Sequence, residues 1–197
     1  MTTYTKLQAA LAAHNPKIDP PPTNKKPAAV AAILNPLEND LQLLFIERAA
    51  HPKDPWSGHI AFPGGTIEPE DPDLKHTAER ETREELNFDL TPAQYLGRLD
   101  DVTGATLPVT VACFVYAINR PAKLNPNDEV CDVFWTPFAY LADASRYQTL
   151  DLKGWKPLHT VPAIDLLGPN RPVLWGLTYR LVTQLAEFGG INLPKMT

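Results

Sequence analysis

From His59 to Leu86 the chain changes character three times, and the order of those changes limits what it can fold into. His59 to Phe62 has the apolar weight of a short strand and runs straight into the turn Pro63-Gly64-Gly65, after which Thr66 to Asp73 is an acidic loop. Leu74 to Leu86 then repeats apolar residues at helical spacing. Asp71 or Asp73 is placed to accept its first orphan backbone N–H groups, and Asn87 suits the left-handed exit. Strand, glycine turn, loop and helix is the local order.

Around this unit the chain is mostly short apolar runs. Ala28 to Leu34 and Leu41 to Arg48, joined by Asn35 to Asp40, predict two strands paired as a hairpin. Tyr95 to Val102, Val109 to Ile118 and Glu129 to Trp135 predict further strands, with Arg120 to Asp128 as a loop. Val173 to Phe188 predicts a helix whose stripe of Leu174, Leu177, Leu181, Leu185 and Phe188 packs into the core, stopped by Gly189. Ser145 to Arg171 carries no pattern that assigns its structure. Residues 4 to 13 read as a helix followed by a proline-rich linker at Pro16, Pro20, Pro21 and Pro22, where proline removes a donor and turns its neighbour away from helix. The organisation is thus an N-terminal helix and linker over 1–26, one main domain over 27–190, and a tail over 191–197.

Bulk properties exclude several classes. No apolar run approaches the roughly 18 residues that span a bilayer, and the first residues lack the pattern of a secretory signal, which predicts a cytoplasmic protein without a membrane partner. Cys113 and Cys131 stand in apolar segments without metal-binding spacing and read as core thiols. A net charge of −5 without a basic cluster argues against a nucleic-acid surface, so a polyphosphate ligand would need cations to help hold it. Self-association as a homodimer through the N-terminal helix is left open.

The acids of the predicted helix are not spread evenly around it. At about 100° per residue, Leu74, Ala78, Thr82 and Leu86 fall in an arc of about 120° that faces the sheet. Glu85 lies inside that arc, Glu81 and Glu84 lie beside it, and Glu79, His76, Arg83 and Arg80 lie away from it. Unpaired buried carboxylates cost several kcal/mol, so three of them need positive charge nearby. Arg80 reaches Glu84 at i+4 and offsets one. A divalent cation would offset all three, since hard oxygen ligands suit Mg²⁺ or Mn²⁺. A purely structural charge network is the other account of the wheel.

Gly65, the acidic loop and Arg80-Glu81-Thr82-Arg83-Glu84-Glu85-Leu86-Asn87-Phe88 resemble the Nudix box. Asp71 stands where that box has its first Glu, one residue further from the Arg; Thr82 replaces an apolar residue, and Asn87 the last Gly. The resemblance implies an α/β class fold, a Nudix-like α/β/α sandwich around a mixed central β-sheet. It implies hydrolysis of a nucleoside diphosphate linked to another group. It gives Glu81, Glu84 and Glu85 as ligands of Mg²⁺ or Mn²⁺, Arg80 as the residue that orients a glutamate, and the Gly65 turn as the source of a carbonyl near the metal. The base is Glu81 itself or a residue on a distant loop, for which Glu129 is the first candidate and Asp100 and Asp101 are weaker ones.

Leu44 to Ala49, Ser57 to Gly65 and Trp175 to Arg180 resemble the signature of the coenzyme A pyrophosphatase branch of that family. This implies a small-molecule nucleotide substrate, coenzyme A or a derivative, with Arg48 and Lys53 contacting its anionic groups. Lys53, Trp56 and His59 depart from the branch pattern. Trp56 reads as core-edge packing or as a surface for a base, and His59 as a structural histidine. Hydrolysis of ADP-ribose or another nucleotide sugar is the alternative within the class, and a Nudix-like nucleotide-binding regulatory domain without turnover is the alternative outside it.

Overall fold

The structure is a computed structural model that describes residues 1–20, 23, 26–38, 40–51, 56–104, 109–119, 123–152 and 160–194. Lys53 lies outside the described residues. The predicted hairpin forms from β1 (Ala28–Pro36) and β2 (Leu41–Arg48), with Leu34 opposite Leu43 and Leu37 N–H bonded to the Asp40 carbonyl. β1 also runs parallel to β7 (Thr110–Ala117), from Ala28 beside Val111 to Leu34 beside Ala117. Parallel neighbours need a crossover. Here it carries helix α2 (Leu74–Leu86) together with β5 (Gln94–Arg98) and β6 (Val102–Thr103), both antiparallel to β7. The single strand predicted over Tyr95 to Val102 is therefore two. β8 (Val130–Pro137) lies antiparallel to the far side of β2.

Away from the turn the hairpin opens. β2 pairs β1 at Leu41 to Leu43 but pairs β3 (Ile60–Ala61) at Ile46 and Glu47; β1 pairs β2 at Leu34 to Pro36 but pairs β4 (Gly64–Thr66) at Ala28 to Val30. The segment from Ile60 to Thr66 thus fills a wedge between two diverging strands. Gly64 is required there: its φ is 152°, and a side chain would run into the Ala29 carbonyl and Val30.

Side chains alternate along the strands and give the sheet two cores. Ala29, Ala31 and Ile33 of β1 join Ala112, Phe114 and Tyr116 of β7 beneath Ala78 and Leu86 of α2. Ala32, Leu34, Phe45, Cys113 and Val115 face the other way, against Leu7 and Leu11 of α1 (Thr3–Ala13) and Leu181, Val182, Leu185 and Ala186 of α3 (Gly176–Phe188). Each leucine so buried contributes roughly 1.5–3 kcal/mol. Helix, mixed sheet, helices is the α/β/α sandwich that the resemblance implied, and α1 uses its leucines on this chain's own core. No described helix is long and apolar enough to cross a membrane.

The unassigned region holds a second, antiparallel sheet of β9 (Tyr147–Asp151), β10 (Thr160–Ile164) and β11 (Leu174–Trp175). β11 takes the first turn of the helix predicted from Val173, because Gly176 at φ 71° separates strand from helix. At the other end Gly189 is right-handed and Gly190, at φ 71°, carries the left-handed turn, with Gly190 N–H bonded to Glu187 O and Ile191 N–H to Ala186 O. Cys113 is a buried thiol as predicted, whereas Cys131 is exposed, on the outward side of β8.

Candidate active site

Helix α2 begins at Asp73, whose carboxylate accepts the His76 N–H at 2.9 Å, and ends at Asn87 in the left-handed region at φ 50°. With Asp73 acting as the cap, Asp71 is available for another contact. Its two oxygens take Arg80 Nε and Nη2, both at 2.9 Å, and a further bond from Thr77 Oγ1. The Arg80 guanidinium beside Asp71 holds that carboxyl well below the usual range. The shorter acid thus meets the arginine despite its shifted position. Arg80 Nη1 then reaches Glu81 at 3.0 Å and Glu84 at 2.9 Å, so one arginine aligns two of the three predicted ligands.

The glutamates differ in depth. Glu85 is 2% exposed, and its Oε2 accepts the Gly64 N–H at 2.9 Å while Oε1 lies 3.8 Å from Arg48 Nη1. Burial pushes its carboxyl up to about 8, against the pull of the Gly64 N–H and Arg48 and with help from the charges of Glu81 and Glu129. Burial also raises Glu81, although Arg80 lowers it; Glu84 and Glu129 add to the rise. Glu84 has a side chain 54% exposed and stands at the rim rather than in the buried sector. Among the described residues no three acidic, His or Cys side chains are already gathered around a metal-sized point. Glu79, placed by the wheel on the solvent side, is half-buried, taking bonds from Tyr116 Oη at 2.9 Å and Lys75 Nζ at 2.7 Å. Thr82, in place of an apolar residue, is buried with its hydroxyl bonded to the Ala78 carbonyl.

A cavity of about 540 Å³ joins these acids to the opposite face of the sheet. Glu81, Glu85, Glu129 and Arg48 line one end; Val109, Val161, Pro162 and Leu177 line the other. Acids on the α2 face reach a cavity on the α3 face by passing Gly64 and Gly65, where the wedge offers backbone without side chains. A Cβ at Gly65 would collide with the Glu81 carboxylate, so the two are in immediate contact. Glu129 arrives through the ladder: Arg48 pairs with Val130, and the Ala49 N–H bonds to the Glu129 carbonyl at 2.8 Å. Every residue from Trp175 to Arg180 lines the cavity, as do Trp56 and His59, and the His59 ring meets Trp175 edge-on at 4.7 Å.

Asp100 and Asp101 lie elsewhere. Asp100 accepts bonds from His14 and from the Lys17 backbone, and Asp101 pairs with Arg98 at 2.7 Å and accepts the Asp19 N–H; neither lines the cavity. Their work is to fasten the segment after α1 to the sheet edge. The donor set at the acidic end fits a divalent cation on two counts. It consists of hard carboxylate oxygens, and burial together with mutual repulsion leaves Glu81 and Glu85 short of positive charge.

Comparison with known proteins decides the family. The NUDIX domain family matches residues 25–155. The chain belongs to the Nudix family. Human mitochondrial coenzyme A diphosphatase NUDT8 is 36% identical over 166 residues, which cover 80% of this chain and 68% of that protein. The Nudix hydrolase NudL of Yersinia pestis (strain Pestoides F) is 30% identical over 166 residues, 84% of this chain and 80% of that one. A crystal structure of a MutT/nudix family protein from Enterococcus faecalis shares the fold at a TM-score of 0.54 and 16% identity, over 93% of this chain and 68% of that chain. This Nudix chain is therefore a hydrolase of the pyrophosphatase type, in a family that generally uses divalent metal ions. The sequence did not point to the apolar end of the cavity as part of the site, because Val109, Val161 and Pro162 belong to no motif; their placement beside the acids is a product of tertiary folding.

Proposed function

We propose that this chain hydrolyses the phosphoanhydride bond of coenzyme A or a derivative, yielding 3′,5′-ADP and a 4′-phosphopantetheine product. One observation carries the reading: the three separate segments that resemble the coenzyme A branch, around Arg48, around His59 to Gly65 and from Trp175 to Arg180, all line a single cavity with Glu81 and Glu85. The 36% identity to the human coenzyme A diphosphatase supports the same choice.

In this reading Glu81, Glu84, Glu85 and the Gly65 carbonyl hold Mg²⁺ or Mn²⁺, which when bound supplies charge neutralisation at the phosphates and a template for the water. Arg80, fixed by Asp71, keeps Glu81 and Glu84 in line. Arg48 sits at the acidic end to contact a substrate phosphate, and Lys53 shares that role in the sequence reading. Glu129 or Glu81 accepts a proton from the attacking water as its oxygen joins phosphorus and the bridging P–O bond breaks. Aromatic and apolar residues from β10, β11 and α3 hold the organic part of the substrate.

The test is product analysis by mass with Mg²⁺ or Mn²⁺ and a panel of coenzyme A, its thioesters, ADP-ribose and nucleotide sugars. Release of 3′,5′-ADP from coenzyme A is the expected result. Turnover confined to ADP-ribose or a nucleotide sugar would overturn the substrate, and no turnover of any compound would leave a binding domain.

A further inference from the structure

The cavity is lined by two arginines that differ in one respect. Arg48 faces the buried Glu85 carboxylate. Arg180 donates from Nη1 to the Thr103 carbonyl at 2.7 Å, and among the described residues it has no carboxylate partner. Arg80, Arg98, Arg146 and Arg171 each pair with an acid. A neutral carbonyl takes one of the five guanidinium donors and none of the charge. It also fixes the side chain in place, so that less freedom is lost when the remaining donors bind something.

The position of Arg180 relative to the acids follows from the sheet. Val102 pairs with Val111, Val111 with Ala28, and Ala28 with Thr66. Thr103, the Arg180 anchor, is therefore about three strand spacings, roughly 14 Å, from β4, where Gly64 and Gly65 meet Glu85 and Glu81. Between them the lining is largely apolar, with Val109, Val111 and Val30. The Arg180 side chain is exposed to solvent, but its charge is not neutralised by any described carboxylate and its Thr103 anchor leaves further donors on the cavity side, so it attracts an anion that bridges from the cavity.

We propose that Arg180 forms an anion subsite for a phosphate monoester of the substrate, separate from the anhydride that is cut. This rests on the coenzyme A reading above, in which the group is the 3′-phosphate on the ribose. A monoester dianion matches the planar fork of arginine, and a substrate gripped at both ends is held in register across the acids.

The test uses the full chain with Arg180→Gln and Arg180→Lys, all checked for unchanged melting temperature. Calorimetry compares 3′,5′-ADP with 5′-AMP, and kinetics compare coenzyme A with dephospho-coenzyme A. The wild type is expected to prefer the compound bearing the monoester in both assays. Arg180→Gln is expected to erase most of that preference, by about 10- to 100-fold, through Kd and KM rather than kcat, with Arg180→Lys recovering part of it. A preference unchanged in Arg180→Gln, or no preference in the wild type, overturns the subsite. Equal losses for both members of each pair also overturn it, leaving Arg180 as a brace for Thr103. Absence of turnover would instead count against the hydrolase reading, and the calorimetric comparison would still decide the role of Arg180.

Discussion

The glycine turn and the glutamates Glu81 and Glu85 of the acidic wall come from one continuous run, Phe62 to Glu85, which only Arg48 and Glu129 join from elsewhere, whereas the opposite wall draws on Val109 and Val111, on Val161 and Pro162 of β10, and on Trp175 to Leu181. On the first wall a turn and a helix fix the spacing of Gly65, Glu81 and Glu85, and the chain of contacts from Asp71 to Arg80 to Glu81 and Glu84 stays within the run. On the second, no two pieces are neighbours in sequence. Their arrangement depends on the small sheet docking beside α3. The difference teaches that chemistry here is written locally, while the choice of what undergoes it is assembled from distant pieces.

Four substitutions or conditions probe that division. Glu85→Gln removes a buried charge at the chemical wall and is expected to lower kcat by on the order of 100- to 1000-fold, measured at saturating substrate and metal. A loss of only a few-fold would mean that the acidic wall does not do the chemistry. The next effect is on stability. The Glu85 carboxyl titrates near 8 in the folded chain against an ordinary value of 4.5, so the fold binds this proton more tightly than the unfolded chain does. Its contribution is fully present below about pH 4.5 and is lost as pH rises toward 8. The unfolding free energy of chelator-treated protein, measured by urea titration, is expected to fall across that window by at most a few kcal/mol, and the urea midpoint with it. Mg²⁺ should restore them at pH 8, and Glu85→Gln should flatten the profile.

Gly65→Ala places a methyl against the Glu81 carboxylate and is expected to cost roughly 10- to 100-fold in kcat with the fold intact by melting. Activity equal to wild type would show that the contact with Glu81 does not matter. The smallest effect belongs to the other wall. Trp175→Ala is expected to raise KM by about tenfold or less while kcat changes little, since it removes contact area far from the scissile bond. A fall in kcat as large as that of Gly65→Ala would erase the distinction between the walls.

The same division explains what could be read from the sequence. The boundaries of α2 and its Asn87 exit were legible because each is a local signal, and so was the β1–β2 hairpin; the cap was legible only as Asp71 or Asp73, and Asp73 takes it because Asp71 is engaged by Arg80. Burial of Glu85 followed from its angle on the helix. Glu84 and Glu79 departed from the wheel because a wheel knows only the helix: Arg80 holds Glu84 at the rim, and Tyr116 from β7 draws Glu79 inward. β9 and β10 gave no signal because their burial does not alternate cleanly and Pro162 interrupts the β10 pattern, lying just beyond its overlap with β11. Arg48 and Glu129 were named individually, but their meeting depends on the pairing of β2 with β8, which no local pattern encodes.

Helix α1 puts Leu7 and Leu11 into the same core as Leu181 and Leu185 of α3, and the His14 ring stands 4.9 Å from that of Phe188. On a ribosome these partners would not emerge together. At 5–20 residues per second, α1 would wait on the order of ten seconds for α3 to be made. During that interval the face of the sheet that will form the cavity is uncovered, and the leucines of α1 are available to chaperones or to neighbouring nascent chains.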